Sequence, residues 1–78
     1  ECEVEALNWI NRPARFPAEV RVKIRYRHPA AAATLNPTAS GQRVIIRFNT
    51  PQKAVAPGQG AVFYDGAEVL GAGWIVSP

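Results

Sequence analysis

Seventy-eight residues suffice for one domain, in which folding hides only about 60–65% of the surface of the unfolded chain. At 47% apolar residues the chain can build one modest core and is too apolar for a disordered segment. No stretch approaches the roughly 18–20 apolar residues that cross a membrane, and nine Lys and Arg against six Asp and Glu leave a net charge of +3, which admits a polyanionic partner without requiring one.

Residues 1–7 alternate, with Cys2, Val4 and Ala6 on one parity and Glu1, Glu3 and Glu5 on the other, which predicts a first strand. Cys2 is the only cysteine and His28 the only histidine, so neither an internal disulfide nor a Cys/His zinc cluster can form. A short chain without disulfides, and without a signal-peptide pattern, points to an intracellular protein. Cys2 sits on the apolar parity between two glutamates that disfavour a thiolate, so it reads as a structural residue rather than a nucleophile. Methionine is absent, even at position 1, and the chain is expected to be a piece of something larger.

Residues 8–17, NWINRPARFP, contain two prolines and no regular period, which suits a loop over a barrel end. Trp9 there is the aromatic best placed for an exposed contact, unless it fills the barrel mouth. Residues 19–27 form the clearest strand. Val20, Val22, Ile24 and Tyr26 share one parity; Arg21, Lys23, Arg25 and Arg27 share the other and would span about 20 Å on one face. That row is either a phosphate-binding surface or the wet side of an ordinary strand, neutralised by Glu1, Glu3 and Glu5 on a neighbouring strand. His28 ends the segment with no second ligand or partner nucleophile in view.

AAAATL, residues 30–35, is bracketed too tightly by Pro29 and Pro37 for a stable helix and reads as a strand of small side chains. TASGQ is a turn, and RVIIRF follows with Val44, Ile46 and Phe48 facing one way. Tyr26 and Phe48 are assigned to the core. Pro57–Gly58 predicts a type II turn with Gly58 at positive φ, and Asp65–Gly66 between apolar runs predicts a hairpin. Gly71 and Gly73 suggest a bulge or bend before a last strand. Six or seven short strands so punctuated predict an all-β fold, a small antiparallel barrel closed on itself, since closure removes exposed edges.

The acids Glu1, Glu3, Glu5, Glu19, Asp65 and Glu68 show no acid/base pairing, and neither GxGxxG nor GxxxxGK[ST] occurs. Nothing in these residues resembles an active site.

A pattern of spaced residues carries further information: Lys23-Ile24-Arg25-Tyr26-Arg27, then Phe48, Pro51-Gln52, Ala54-Val55, Pro57-Gly58-Gln59, Val62-Phe63-Tyr64-Asp65-Gly66, Leu70-Gly71, Gly73 and Ile75, with Asn8-Trp9-Ile10 near the start. It resembles the C-terminal β-barrel domain of the tRNA-specific 2-thiouridylases over nearly the whole chain. Departures are the alanines at 30–33 and Ala72, where the family tends to a more polar run and a third glycine. The resemblance implies a cytoplasmic or organellar enzyme that adenylates the wobble uridine of tRNA with ATP and transfers sulfur from a cysteine persulfide. The nucleotide-binding loop and catalytic cysteines of that family have no counterpart here, and Cys2 does not stand at a catalytic position. The expectation is therefore an accessory barrel, cytoplasmic, inactive alone and without a cofactor of its own. It would help dock tRNA through Arg21, Lys23, Arg25 and Arg27 and brace the catalytic and central domains of a parent chain. The alternative is a purely structural or protein-interaction barrel with solvated charges.

Overall fold

The computed structural model describes residues 1–24, 29–52 and 55–77. Among them run six strands: β1 (Cys2–Trp9), β2 (Ala18–Lys23), β3 (Ala31–Pro37), β4 (Val44–Phe48), β5 (Gly60–Asp65) and β6 (Glu68–Ser77). All pairings are antiparallel, and the strands close in the order β1-β4-β3-β2-β5-β6, with β6 returning to β1. The expected closed barrel is therefore the fold.

Alternation places the core where the sequence put it. Val20 and Val22 are buried between exposed Glu19 and Arg21, and Val44 and Ile46 are buried on β4. Cys2, Val4, Leu35, Phe63 and Ile75 complete the barrel interior, with Phe48 packed against it. The alanine run does form a strand, and Ala33 is buried opposite both Val20 and Phe48. Tyr26, assigned to the core, lies outside the described residues, as do Arg25, Arg27 and His28.

Two elements run longer than expected. β1 continues to Trp9, and beyond it the N–H groups of Ile10 and Asn11 both donate to Leu70 O, at 2.9 and 3.0 Å. β6 is one unbroken strand through Gly71 and Gly73, not a bend followed by a separate last strand. The bulge lies just upstream: Phe63 faces Gly71 while Tyr64 faces Val69, which leaves Leu70 as the extra residue. The two glycines instead serve close approach. A Cβ on Gly73 would lie 2.5 Å from Val4 Cγ1 and 2.8 Å from Glu5 O, and one on Gly71 would lie 2.8 Å from Asn8 O. Backbone oxygens cannot step aside, so only glycine fits.

The turns follow their chemistry. Gly58 has φ 90°, and Gln59 N–H reaches Ala56 O at 3.4 Å across Pro57–Gly58. In the β5–β6 hairpin Asp65 pairs with Glu68, so the loop is Gly66-Ala67, one residue later than the expected Asp65–Gly66. Gly66, at its first position, has φ 60°.

Gly73→Ala should destabilise the barrel by about 1–3 kcal/mol through overpacking. Gly60→Ala, whose Cβ would meet Trp74 at an ordinary 3.6 Å, should melt close to the parent. Valine at Gly58 or Gly66 should cost more than about 1 kcal/mol through its strained φ. Thermal unfolding of the four variants checks this ranking; parent-like melting of Gly73→Ala would contradict the packing role.

Candidate nucleic-acid interface

Charge on the barrel is set by strand order. Glu3 and Glu5 of β1, with Glu1 just before it, face outward, and the neighbour β4 pairs Ile46 with Cys2 and Val44 with Val4. Glu5 therefore meets Arg43, and Glu1 meets Arg47. Arg43 Nη2 lies 3.1 Å from Glu5 Oε2, and its Nη1 lies 3.7 Å from Glu3 Oε1. Arg47 donates to Glu1 Oε2 through Nε at 3.1 Å and also through Nη2. This hydrogen bond, and then the guanidinium charge, hold the Glu1 carboxyl below its ordinary range.

β2 stands three strands from β1 in either direction around the ring, on the far side of the barrel. The alternative in which Glu1, Glu3 and Glu5 neutralise the basic row across the sheet therefore does not hold for Arg21 and Lys23. Those carboxylates face β4, because the strands pair out of sequence order.

On β2 the cations point outward as the alternation requires. Arg21 is exposed and Lys23 half-exposed. Arg21 has Ala32 on one side and Tyr64 on the other, and Lys23 has Val62 beside it on β5. One guanidinium N–H of Arg21 donates to Ala30 O at 3.4 Å, which leaves most of its donors for another partner. Glu19 and Asp65 stand at the hairpin end of this face and bound it with negative charge. Arg25 and Arg27, the other half of the expected row, lie outside the described residues.

Of the two places open to Trp9, an exposed contact or the barrel mouth, the structure shows the second. Trp9 is half-buried, with its ring 5.7 Å from Phe63 and tilted by 35°, so it fills the barrel mouth. The exposed tryptophan is Trp74, 57% accessible on the outer face of β6 between Gly60 and Glu5. Reading residue types alone missed it. Ala72, Trp74 and Val76 are as apolar as the buried parity of that strand, so hydropathy does not separate inside from outside.

Cys2 is buried, and burial pushes its thiol up, away from the thiolate. Among the described residues no charged side chain is buried and no cluster of three His, Cys, Asp or Glu side chains could hold a metal. Among the described residues no helix begins that could cradle a phosphate either.

Comparison with known proteins came to the same region of sequence space. The family described as the aminomethyltransferase beta-barrel domain matches residues 1–75. The tRNA-specific 2-thiouridylase MnmA of Desulfosudis oleivorans is 51% identical over 75 residues, covering 95% of this chain and 20% of that protein. The enzyme of the same name from Syntrophotalea carbinolica is 50% identical over 68 residues, 87% of this chain and 19% of its own length. That of Thermosynechococcus vestitus is 42% identical over 79 residues, 100% of this chain and 21% of its own length. The resemblance read from the spaced motifs is thus matched, and the chain spans about a fifth of the length of these curated relatives.

Two tests follow from this geometry. Glu1 should titrate at lower pH than it does in Arg47→Ala, by NMR of its side-chain carboxyl carbon. Because its folded-state pKa is lowered, the pair stabilises the fold above the ordinary carboxylate range and is lost as pH falls through the lowered value. The stability gap to Arg47→Ala should therefore close in acid; a gap that persists there would contradict the pair. Cys2 should resist alkylation at mildly alkaline pH until the barrel is unfolded, which mass spectrometry would read directly.

Proposed function

The chain belongs to the family of aminomethyltransferase beta-barrel domains, and from that premise we propose that it is the accessory barrel of a tRNA 2-thiouridylase, which docks tRNA and takes no part in sulfur transfer. The observation that carries this reading is the segregation of charge. The glutamates of β1 are engaged by Arg43 and Arg47, while Arg21 and Lys23 project on the opposite side with no acidic strand beside β2. A polyanion approaching β2 at Arg21 meets a cation whose cross-strand neighbours, Ala32 and Tyr64, are uncharged, with Glu19 and Asp65 at the hairpin end. Arg25 and Arg27 extend the row in sequence and belong to the same proposed contact.

The chemistry falls to other parts of a longer chain. ATP and a persulfide sulfur donor, which a 2-thiouridylase requires, would be held elsewhere: the sequence has neither GxGxxG nor GxxxxGK[ST], and burial pushes its single thiol away from the thiolate. In this reading the barrel works in the cytoplasm, seated against the catalytic and central domains and presenting β2 to the tRNA.

Arg21→Glu with Lys23→Glu should weaken tRNA binding and flatten its salt dependence by around one unit of logarithmic slope per lost phosphate contact. Titration at several salt concentrations measures both quantities. A double variant with unchanged affinity and slope would show that β2 is a solvated strand and nothing more.

A further inference from the structure

The outer face of β5 and β6 differs from that of the other strands. Between the hairpin tip and the strand ends it carries Val62, Tyr64, Val69, Ala72, Trp74 and Val76, with no charged side chain. Trp74 is the most prominent of these: its ring packs over Gly60, where a Cβ would stand 3.6 Å from Cζ3, and more than half of the residue remains accessible. A large aromatic left open on an outer strand face costs solubility and adds nothing to this core, which β6 fills with Leu70 and Ile75 instead.

What lies beside this face identifies its partner. β2 borders β5, so the cation row and the aromatic row belong to one continuous surface. Arg21 stands directly opposite Tyr64, and Lys23, Val62 and Ala72 form the next rung. The rung beyond holds Gly60 and Trp74. With strands about 4.8 Å apart, β2 and β6 are separated by roughly 10 Å, a span that one nucleotide bridges from its phosphate to its base. Glu5, which pairs with Trp74 across β1 and β6, lies 3.1 Å from Arg43, which offsets its charge. Glu19 and Asp65 close the surface only at its hairpin end, so a strand of RNA held at Arg21 is steered away from them, toward Lys23 and Trp74.

We propose that Trp74, with Tyr64, forms a stacking platform for unpaired RNA bases whose phosphates lie along the cations of β2. This rests on the tRNA-docking reading above and deepens it, since it names a single-stranded segment as the part of the RNA that is held. Aromatic side chains on open sheet faces stack bases with little regard to sequence, because every base has a π-face, and cations alongside track the backbone. Residues 19–27 alone separate aromatics from cations; the barrel brings the two together from different strands.

The test is binding of the 78-residue chain to a short single-stranded oligoribonucleotide and to a duplex of the same sequence, each at two salt concentrations. Trp74→Ala should weaken single-strand binding roughly fivefold or more with an unchanged salt slope, and should leave duplex binding as it was. Trp74→Phe should retain most of the affinity, and both variants should melt like the parent because Trp74 is exposed. Single-strand binding by Trp74→Ala equal to the parent's would overturn the platform. If Arg21→Glu with Lys23→Glu then still weakens tRNA binding, only the stacking fails; if it too binds like the parent, the docking reading falls with it. Should Trp74→Ala leave RNA binding intact and instead dissociate an oligomer in sedimentation, the face is a protein contact and the inference is overturned.

Discussion

The approach of β1 to β6 is the constraint on which the rest of this barrel depends. Six short strands can close only if the first and last come together along most of their length, and here they do so over Gly71 and Gly73. At both glycines the β1 backbone passes where a side chain would begin, with Asn8 O and Glu5 O 2.8 Å from the missing Cβ positions. Trp9 then lies over Gly71 and reaches Phe63, so the same closure that removes the sheet edges also seals one mouth. The interior is small, and the fold needs this contact more than a larger domain would.

Closure also distributes the charge. Once β1 is held between β4 and β6, Glu1, Glu3 and Glu5 meet Arg47 on β4 and Arg43 just before it, and β2 is left on the far side. Each of these ion pairs is exposed and contributes little to stability. Their larger consequence is directional: the β1 side of the barrel is neutralised within itself, while on the far side Arg21 has Ala32 and Tyr64 beside it, with Glu19 and Asp65 at the hairpin end. A net charge of +3 thus becomes an oriented surface without any buried charge among the described residues.

Much of this was legible in the sequence, and the exceptions share a cause. Alternation at 19–23 and 44–48 gave the inward residues, Pro57–Gly58 gave its turn, and the many short strands gave a closed barrel, because each signal is local. Strand order is not local: nothing between residues 1 and 7 says that Glu5 will meet Arg43 rather than a cation of β2. Bulges are equally silent. One extra residue at Leu70 changes the parity of β6 relative to β5, and an irregularity between Glu5 and Asn8 does the same for β1 against β6. Which tryptophan is open and which plugs the mouth depends on those shifts, so the sequence leaves both places open to Trp9 and gives no sign of an exposed Trp74. Gly71 and Gly73 were visible as special, yet what they accommodate, the β1 backbone, lies more than sixty residues away in the chain.

The central claim is that RNA meets the β2–β5–β6 side of the barrel and leaves the β1–β4 side free. Amide chemical-shift mapping of the isotopically labelled chain on addition of tRNA tests it most directly, because each strand reports separately. Perturbations should concentrate at 18–23, 60–64 and 72–76, with the amides of 2–5 and 44–47 unmoved. Perturbations centred on β1 and β4, or none at saturating tRNA, would contradict it.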